Sequence, residues 1–275
     1  MNLSRLILLR PPRFAAARRA FTLIELLVVI SILGLLAGLA VPAIKNLGKS
    51  NMSLGAGRQM LDDVGRARQY AMSQRTTVYM IFVPTNFWDT TVYWPTGIRP
   101  TTPDFTNLAD KQLTGYIFVT LHSVGDQPGR GSTNFLSGWQ ALPDHNFIPS
   151  WKFLPRSNVT NITDIANPAT VLYSIPGFDR TTVPIPFPST NSGLSAINLP
   201  YIAFNYQGQL TSQVDEYIPL AVGTVAPGMD GNKNLQLTTP LITEIPPNNS
   251  VSASYHVIHI NWLTGRAREE SQQVK

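Results

Sequence analysis

Residues 21–41 read FTLIELLVVISILGLLAGLAV, a run of 21 residues with a single charge, Glu25. A bilayer core is crossed by about 20 predominantly apolar helical residues, and no other stretch of the chain is so long and so apolar. The run therefore predicts a membrane helix. Arg5, Arg10, Arg13, Arg18 and Arg19 precede it and no basic residue falls within it. By the positive-inside rule that asymmetry holds residues 1–20 in the cytoplasm and sends the C-terminal body across. Glu25 is the odd feature, because an ionised carboxylate at mid-membrane costs roughly 2.5–3.5 kcal/mol on the insertion scale. Near the cytoplasmic end it can reach the headgroups instead.

The neighbours of Glu25 give it a second reading. The run Arg18-Arg19-Ala20-Phe21-Thr22-Leu23-Ile24-Glu25-Leu26-Leu27-Val28-Val29-Ile30 resembles the class III signal of type IV prepilins and type II secretion pseudopilins. In that family a prepilin peptidase cuts just before a Phe or Met, the new amine is N-methylated, and the fifth mature residue is Glu. The resemblance implies a cut between Ala20 and Phe21, methylation of Phe21, and an assembly role for Glu25. The family usually has Gly before the cut, where this chain has Ala20. Gly34 and Pro42 fall where many family helices have Gly and Pro. Both weaken the helical ladder, Pro by about 3 kcal/mol in a helix interior, so the stretch can bend when a subunit leaves the bilayer. Ordinary helix packing accounts for Gly34 equally well.

In an apolar filament core the Glu25 carboxylate can pair with the cationic amine of Phe21 on a neighbouring subunit. An unpaired buried carboxylate is strongly disfavoured, so such a pair sets axial register more than it adds bulk stability. The resemblance further implies a prepilin peptidase and N-methyltransferase, other pilins or pseudopilins, an inner-membrane assembly platform and membrane lipid as partners. It places the head outside the cytoplasm. Arg18-Arg19 also resembles a twin-arginine export signal, but Glu25 interrupts its apolar region and Leu39-Ala40-Val41-Pro42-Ala43 is a poor small-x-small cleavage site. A single-pass anchored head that never assembles is the other alternative.

Beyond Pro42, Leu54, Leu61, Val64 and Ala71 recur at helical spacing, with Arg58, Asp62, Arg66 and Arg68 between them. If residues 21–73 were all helical they would span about 80 Å. Gly48, Gly55, Gly57 and Gly65 argue against an unbroken rod. The run Gly65 to Arg75, followed by Thr76-Thr77-Val78-Tyr79-Met80-Ile81-Phe82, resembles the helix-to-strand junction of GspH/FimT-type minor pseudopilins, which cap or initiate fibres. The expected organisation is a removed leader (1–20), a transmembrane and assembly helix (21–42), its continuation into the head (43–75) and a β-rich head (76–275). The fold class expected is α+β, a long spindle helix on a mainly antiparallel sheet.

Six segments of the head are rich in Val, Ile, Tyr and Phe and predict strands: 76–83, 116–122, 169–174, 200–206, 216–223 and 255–262. Residues 202–210 and 256–266 each read as strand, tight turn and strand start, with Gly208 and Gly265 supplying turn conformations. Segments 84–115, 124–150 and 177–199 read as long loops, and Val-Pro-Ile-Pro-Phe-Pro at 183–188 as extended. Phe87, Trp88, Tyr93 and Trp94 in the first loop either form a partner surface or fold back onto the head's own core.

Composition narrows the function classes. The formal charge is +5, from 21 basic and 16 acidic side chains, but the five leader arginines account for all of the excess. The mature part is formally neutral, so a nucleic-acid partner loses its main support. Without cysteine there are no disulfides, thiolate metal sites, Cys nucleophiles or lipoprotein anchor. No G-x-S-x-G elbow, Walker loop, H-E-x-x-H or dinucleotide fingerprint occurs, so neither an enzyme nor a cofactor is expected. His256 and His259 would point to opposite faces of a strand, which separates them as metal ligands. Asp230-Gly231-Asn232-Lys233-Asn234 starts like a calcium loop, but Leu235 and Leu241 stand where Gly and Glu are needed, so it reads as a solvated turn.

Overall fold

The structure, a computed structural model, describes residues 22–94, 103–123, 125–127, 131–164, 167–180, 185–186, 196–253 and 256–271. For 37–53, 104, 185–186, 252–253 and 271 only the backbone is described. Two compact units divide the chain, Met1–Gly48 and Lys49–Lys275.

The chain is α+β with antiparallel sheets. Helix α1 covers Leu23–Gln74 and helical turn α2 covers Pro103–Thr106. The strands are β1 Val78–Phe82, β2 Gly115–Thr120, β3 Asn134–Phe135, β4 Gln140–Ala141, β5 Asn146–Phe147, β6 Val159–Thr163 and β7 Val171–Pro176. They continue with β8 Ile185–Pro186, β9 Ala196–Ile197, β10 Tyr201–Phe204, β11 Glu216–Ala226, β12 Leu241–Glu244, β13 His256–Ile260 and β14 Ala267–Ser271.

Two five-stranded sheets make the head. One has the order β10-β1-β2-β3 with β4 also on β2, and the other the order β12-β11-β13-β14 with β5 also on β11. In the second unit the buried stripe of α1 is Ala56, Met60, Val64, Ala67 and Ala71, and it packs on one face of both sheets. The stripe differs from the one expected: Val64 and Ala71 lie in it, Leu61 is half-buried and Leu54 is exposed. Alanines dominate the contact because a small side chain lets the helix backbone lie close to the strands.

Pleat alternation explains why the first sheet reads as almost continuously apolar. Met80, Phe82, Tyr116, Phe118, Ile202 and Phe204 face the core shared with α1. Their neighbours Ile81, Ile117, Val119, Tyr201 and Ala203 face a second core on the other side. That second core is completed by Phe87, Tyr93, Trp94, Phe105 and Leu108 from the segment read as a long loop. The aromatics therefore fold onto the head itself, with Phe87 on Phe105 at 5.0 Å and Trp94 on Phe105 at 5.5 Å between ring centroids. The β6–β7 ribbon covers the outer face of the second sheet, Ile162 and Ile175 meeting Val257.

Both anticipated turns are present. Gly208 has φ +79° and Gly265 has φ +61°, and a Cβ on Gly265 would overlap the carbonyl oxygen of Gly208. The two turns thus dock on one another, beside Arg68, whose Nε donates to the Thr264 carbonyl at 2.8 Å.

Candidate assembly segment

Helix α1 begins with a side-chain cap. The Glu25 amide donates to Thr22 Oγ1 at 3.2 Å and the Leu26 amide to the Thr22 carbonyl at 3.1 Å. Thr22 is the N-cap and Glu25 the third helical residue, where a carboxylate complements the positive helix end. Thr22-x-x-Glu25 is the capping-box pattern, a signal present in the sequence that the reading above passed over. The position of Glu25 thus has a local physical reason as well as the one the resemblance implies.

From Leu23 to Leu36 every side chain is exposed in its unit, Leu23 at 88% and Ile24 at 71%. Apolar residues lie on all sides rather than in one stripe. A helix of that kind is stable only where something apolar surrounds it. Ser31, the polar interruption, turns its hydroxyl back to the Leu27 carbonyl at 2.8 Å, so it adds no unsatisfied donor. Gly34 lies in this stretch with nothing within 4 Å of a Cβ placed on it. The backbone at Pro42 is helical. Ala20 and Phe21 lie outside the described residues.

Among the described residues no helix is long and apolar enough to cross a membrane. The stretch read as spanning, 21–41, is described with its side chains only over residues 22–36.

The other sequence candidates separate in space. His256 contacts Glu269 at 3.0 Å, whereas His259 contacts Asp215 at 2.8 Å and Glu270 at 3.0 Å. Burial raises the carboxyl pKa of Asp215, but the Trp262 amide and His259 outweigh it and hold it below the usual range. Glu270 is also lowered, burial being overcome by the Tyr173 hydroxyl, His259 and Arg268. Among the described residues no group of three or more His, Cys, Asp or Glu is placed to hold a metal ion. In the 230–234 turn the Asp230 carboxylate accepts from the Asn232 and Asn234 amides, both at 2.8 Å, as an Asx turn.

Two buried polar clusters went unread in the sequence. Asp63 of α1 accepts from the Tyr116 hydroxyl and pairs with Arg66 at 3.1 Å, while Gln59 reaches Tyr116 at 2.7 Å and the Ala141 carbonyl at 2.9 Å. Burial, then the bond to Asp63, pushes the Tyr116 phenol well above its ordinary pKa. Fully buried Lys152 pairs with Glu216, donates to the Pro176 carbonyl at 2.8 Å and lies 4.4 Å from the Phe178 ring centroid. Arg156 holds the other Glu216 oxygen at 3.0 Å. Burial lowers the Lys152 pKa, opposed by the Glu216 charge. Nothing in the sequence spacing marks either cluster, since the partners are 53 and 64 residues apart.

The chain thus joins an α+β head to a preceding helical segment that is exposed and mainly apolar over Leu23 to Leu36. Residues 16–41 match the family described as the prokaryotic N-terminal methylation motif. No curated protein and no solved structure matches the chain. The matched motif suggests a type IV pilin- or pseudopilin-like protein, and it implies processing by a prepilin peptidase and assembly with other pilins.

Proposed function

We propose that the chain is the precursor of a filament subunit, cut between Ala20 and Phe21, N-methylated at Phe21 and assembled into a type IV pilus-like or type II secretion-like fibre. The observation that carries this reading is the methylation-motif match over 16–41, which falls on a helix start that is apolar on every side. Before assembly the bilayer covers that helix; afterwards the helices of neighbouring subunits do. The precursor stands in the inner membrane with its N-terminus cytoplasmic and its head outside. The helix from 21 to 42 is the assembly element, Glu25 pairs with the Phe21 amine of a neighbour, and Gly34 and Pro42 let the helix bend during transfer. Residues 43–75 continue the spindle into the head. The helix-to-strand junction, with α1 ending at Gln74 and β1 starting at Val78, supports a GspH/FimT-type minor subunit that caps or initiates the fibre.

Mass spectrometry of the mature N-terminus tests the proposal. The expected product starts at N-methyl-Phe21. An intact leader would make the chain a single-pass anchored protein, and a start beyond Ala43 would make it an exported one.

A further inference from the structure

Of the aromatics in the 84–94 segment, Phe87, Tyr93 and Trp94 are buried, while Trp88 is half-buried. Trp88 lines an open groove of about 470 Å³ together with Asn86, Asp89, Leu237, Thr238 and Thr239. That volume lies in the range of small-molecule sites, roughly 300–1,000 Å³.

Hydrogen bonds tie the groove's lining residues together. Gln112, fully buried, accepts from the Asn86 amide at 3.2 Å and donates to the Ala109 carbonyl at 3.0 Å and the Thr238 carbonyl at 3.4 Å. Thr239 Oγ1 also donates to Asn86 Oδ1 at 2.7 Å, tying two lining residues together. Trp88 stands edge-on to Phe87, 5.2 Å between ring centroids, which braces the indole against the second core. Both walls are therefore fixed before any ligand arrives.

The lining combines one indole with hydroxyl, amide and carboxylate groups. A flat apolar surface flanked by such groups suits a ring with C–H bonds on its face and hydroxyls around its edge. The Asp89 carboxylate already accepts from the Thr91 hydroxyl at 2.7 Å and amide at 2.9 Å, and those bonds keep it ionised as a hydrogen-bond acceptor. A cationic ligand would favour several aromatic walls around it, whereas among the described lining residues one indole stands with threonines, an asparagine and a leucine. We propose that this groove is a carbohydrate-binding site of the head, with Trp88 stacking on a pyranose ring and Asp89 accepting from its hydroxyls.

The test is a titration of the full chain, labelled at tryptophan indole nitrogen and held in a detergent without a sugar headgroup. The probes are cellobiose, maltose, N,N′-diacetylchitobiose and tetramethylammonium. The expected result is a saturable shift of the Trp88 indole signal with at least one disaccharide in the millimolar range. Trp88→Ala weakens that binding about tenfold or more, a loss of about 1.4 kcal/mol, with the other indole signals in place to show that the head is folded. Trp88→Phe retains part of the affinity, and Asp89→Asn, which keeps an acceptor, retains most of it. No saturable shift with any of the three sugars overturns the proposal. So does sugar binding that survives Trp88→Ala, or a shift produced by tetramethylammonium and abolished by Asp89→Asn, which would make the groove a cation site.

Discussion

At the scale of single residues, charges set among apolar neighbours do the specifying. Glu25 sits in the first turn of a helix whose next five residues, Leu26 to Ile30, are all apolar, and Thr22 caps it locally. A Leu at 25 keeps the cap oxygen and raises hydrophobicity, so Glu25→Leu inserts into membranes normally. What it loses is the only acid of the segment. The expected outcome is normal fractionation with membranes and impaired incorporation into filaments, read by shearing and immunoblotting. Unimpaired incorporation would remove Glu25 from assembly. Lys152 shows the same logic inside the head. Its ammonium is fully buried, and Glu216 and the Pro176 carbonyl compensate it. Lys152→Met leaves Glu216 buried with Arg156 alone and is expected to cost about 3 kcal/mol, seen as a lower urea midpoint. Adding Glu216→Leu recovers much of that loss, because the uncompensated carboxylate goes too. An unchanged midpoint for the single variant would show that Arg156 suffices.

Among elements, legibility followed local apolar content, which tracks burial except in β7, where only Ile175 is buried. The six strands read from apolar runs correspond to β1, β2, β7, β10, β11 and β13. Three of these, β1, β2 and β10, are sandwiched between two cores, and a strand buried on both faces is apolar at consecutive positions. The others missed by the reading lack that signal. Strand β6, Val-Thr-Asn-Ile-Thr, buries only Ile162, and β14, Ala-Arg-Glu-Glu-Ser, of which only the start after Gly265 was read, carries the charges that keep an edge strand from pairing further. Two-residue strands β3, β4, β5, β8 and β9 are too short for any period, which is why their segments read as loops. The methylation-motif segment was legible because it is local, whereas the Lys152–Glu216 pair joins positions that only the fold brings together. Turn chemistry was legible as well, and it predicts a sharp effect. Gly265 closes the β13–β14 hairpin at positive φ against Gly208. Gly265→Ala pays both the strained backbone and the overlap, of order 1–3 kcal/mol for the backbone alone. Thermal unfolding should therefore start several degrees lower. An equal melting temperature would mean that the two turns part without loss.

For the whole molecule, the division at residue 48 separates two kinds of helix. Before it, the described side chains of α1 are exposed and, Thr22, Glu25 and Ser31 apart, apolar or glycine. After it, Ala56, Met60, Val64, Ala67 and Ala71 belong to the core shared with both sheets. Every described core residue lies in the second unit, so a chain starting at Lys49 keeps the packing intact and discards the exposed apolar surface of residues 23–36. It is expected to be monomeric without detergent and to unfold in one cooperative step, by gel filtration and circular dichroism. A chain starting at Thr76 loses the helix stripe. Each fully buried Met or Val contributes about 1.5–3 kcal/mol, and removing the stripe also exposes Met80, Phe82 and Phe118 beneath it. Set against a total stability of about 5–15 kcal/mol, that deletion should abolish cooperative unfolding and drive aggregation. If the shorter chain folded as well as the longer one, α1 would be a filament element merely attached to the head. The Ala-lined seam, and Asp63 held by Tyr116 across it, argue that it is the head's central support.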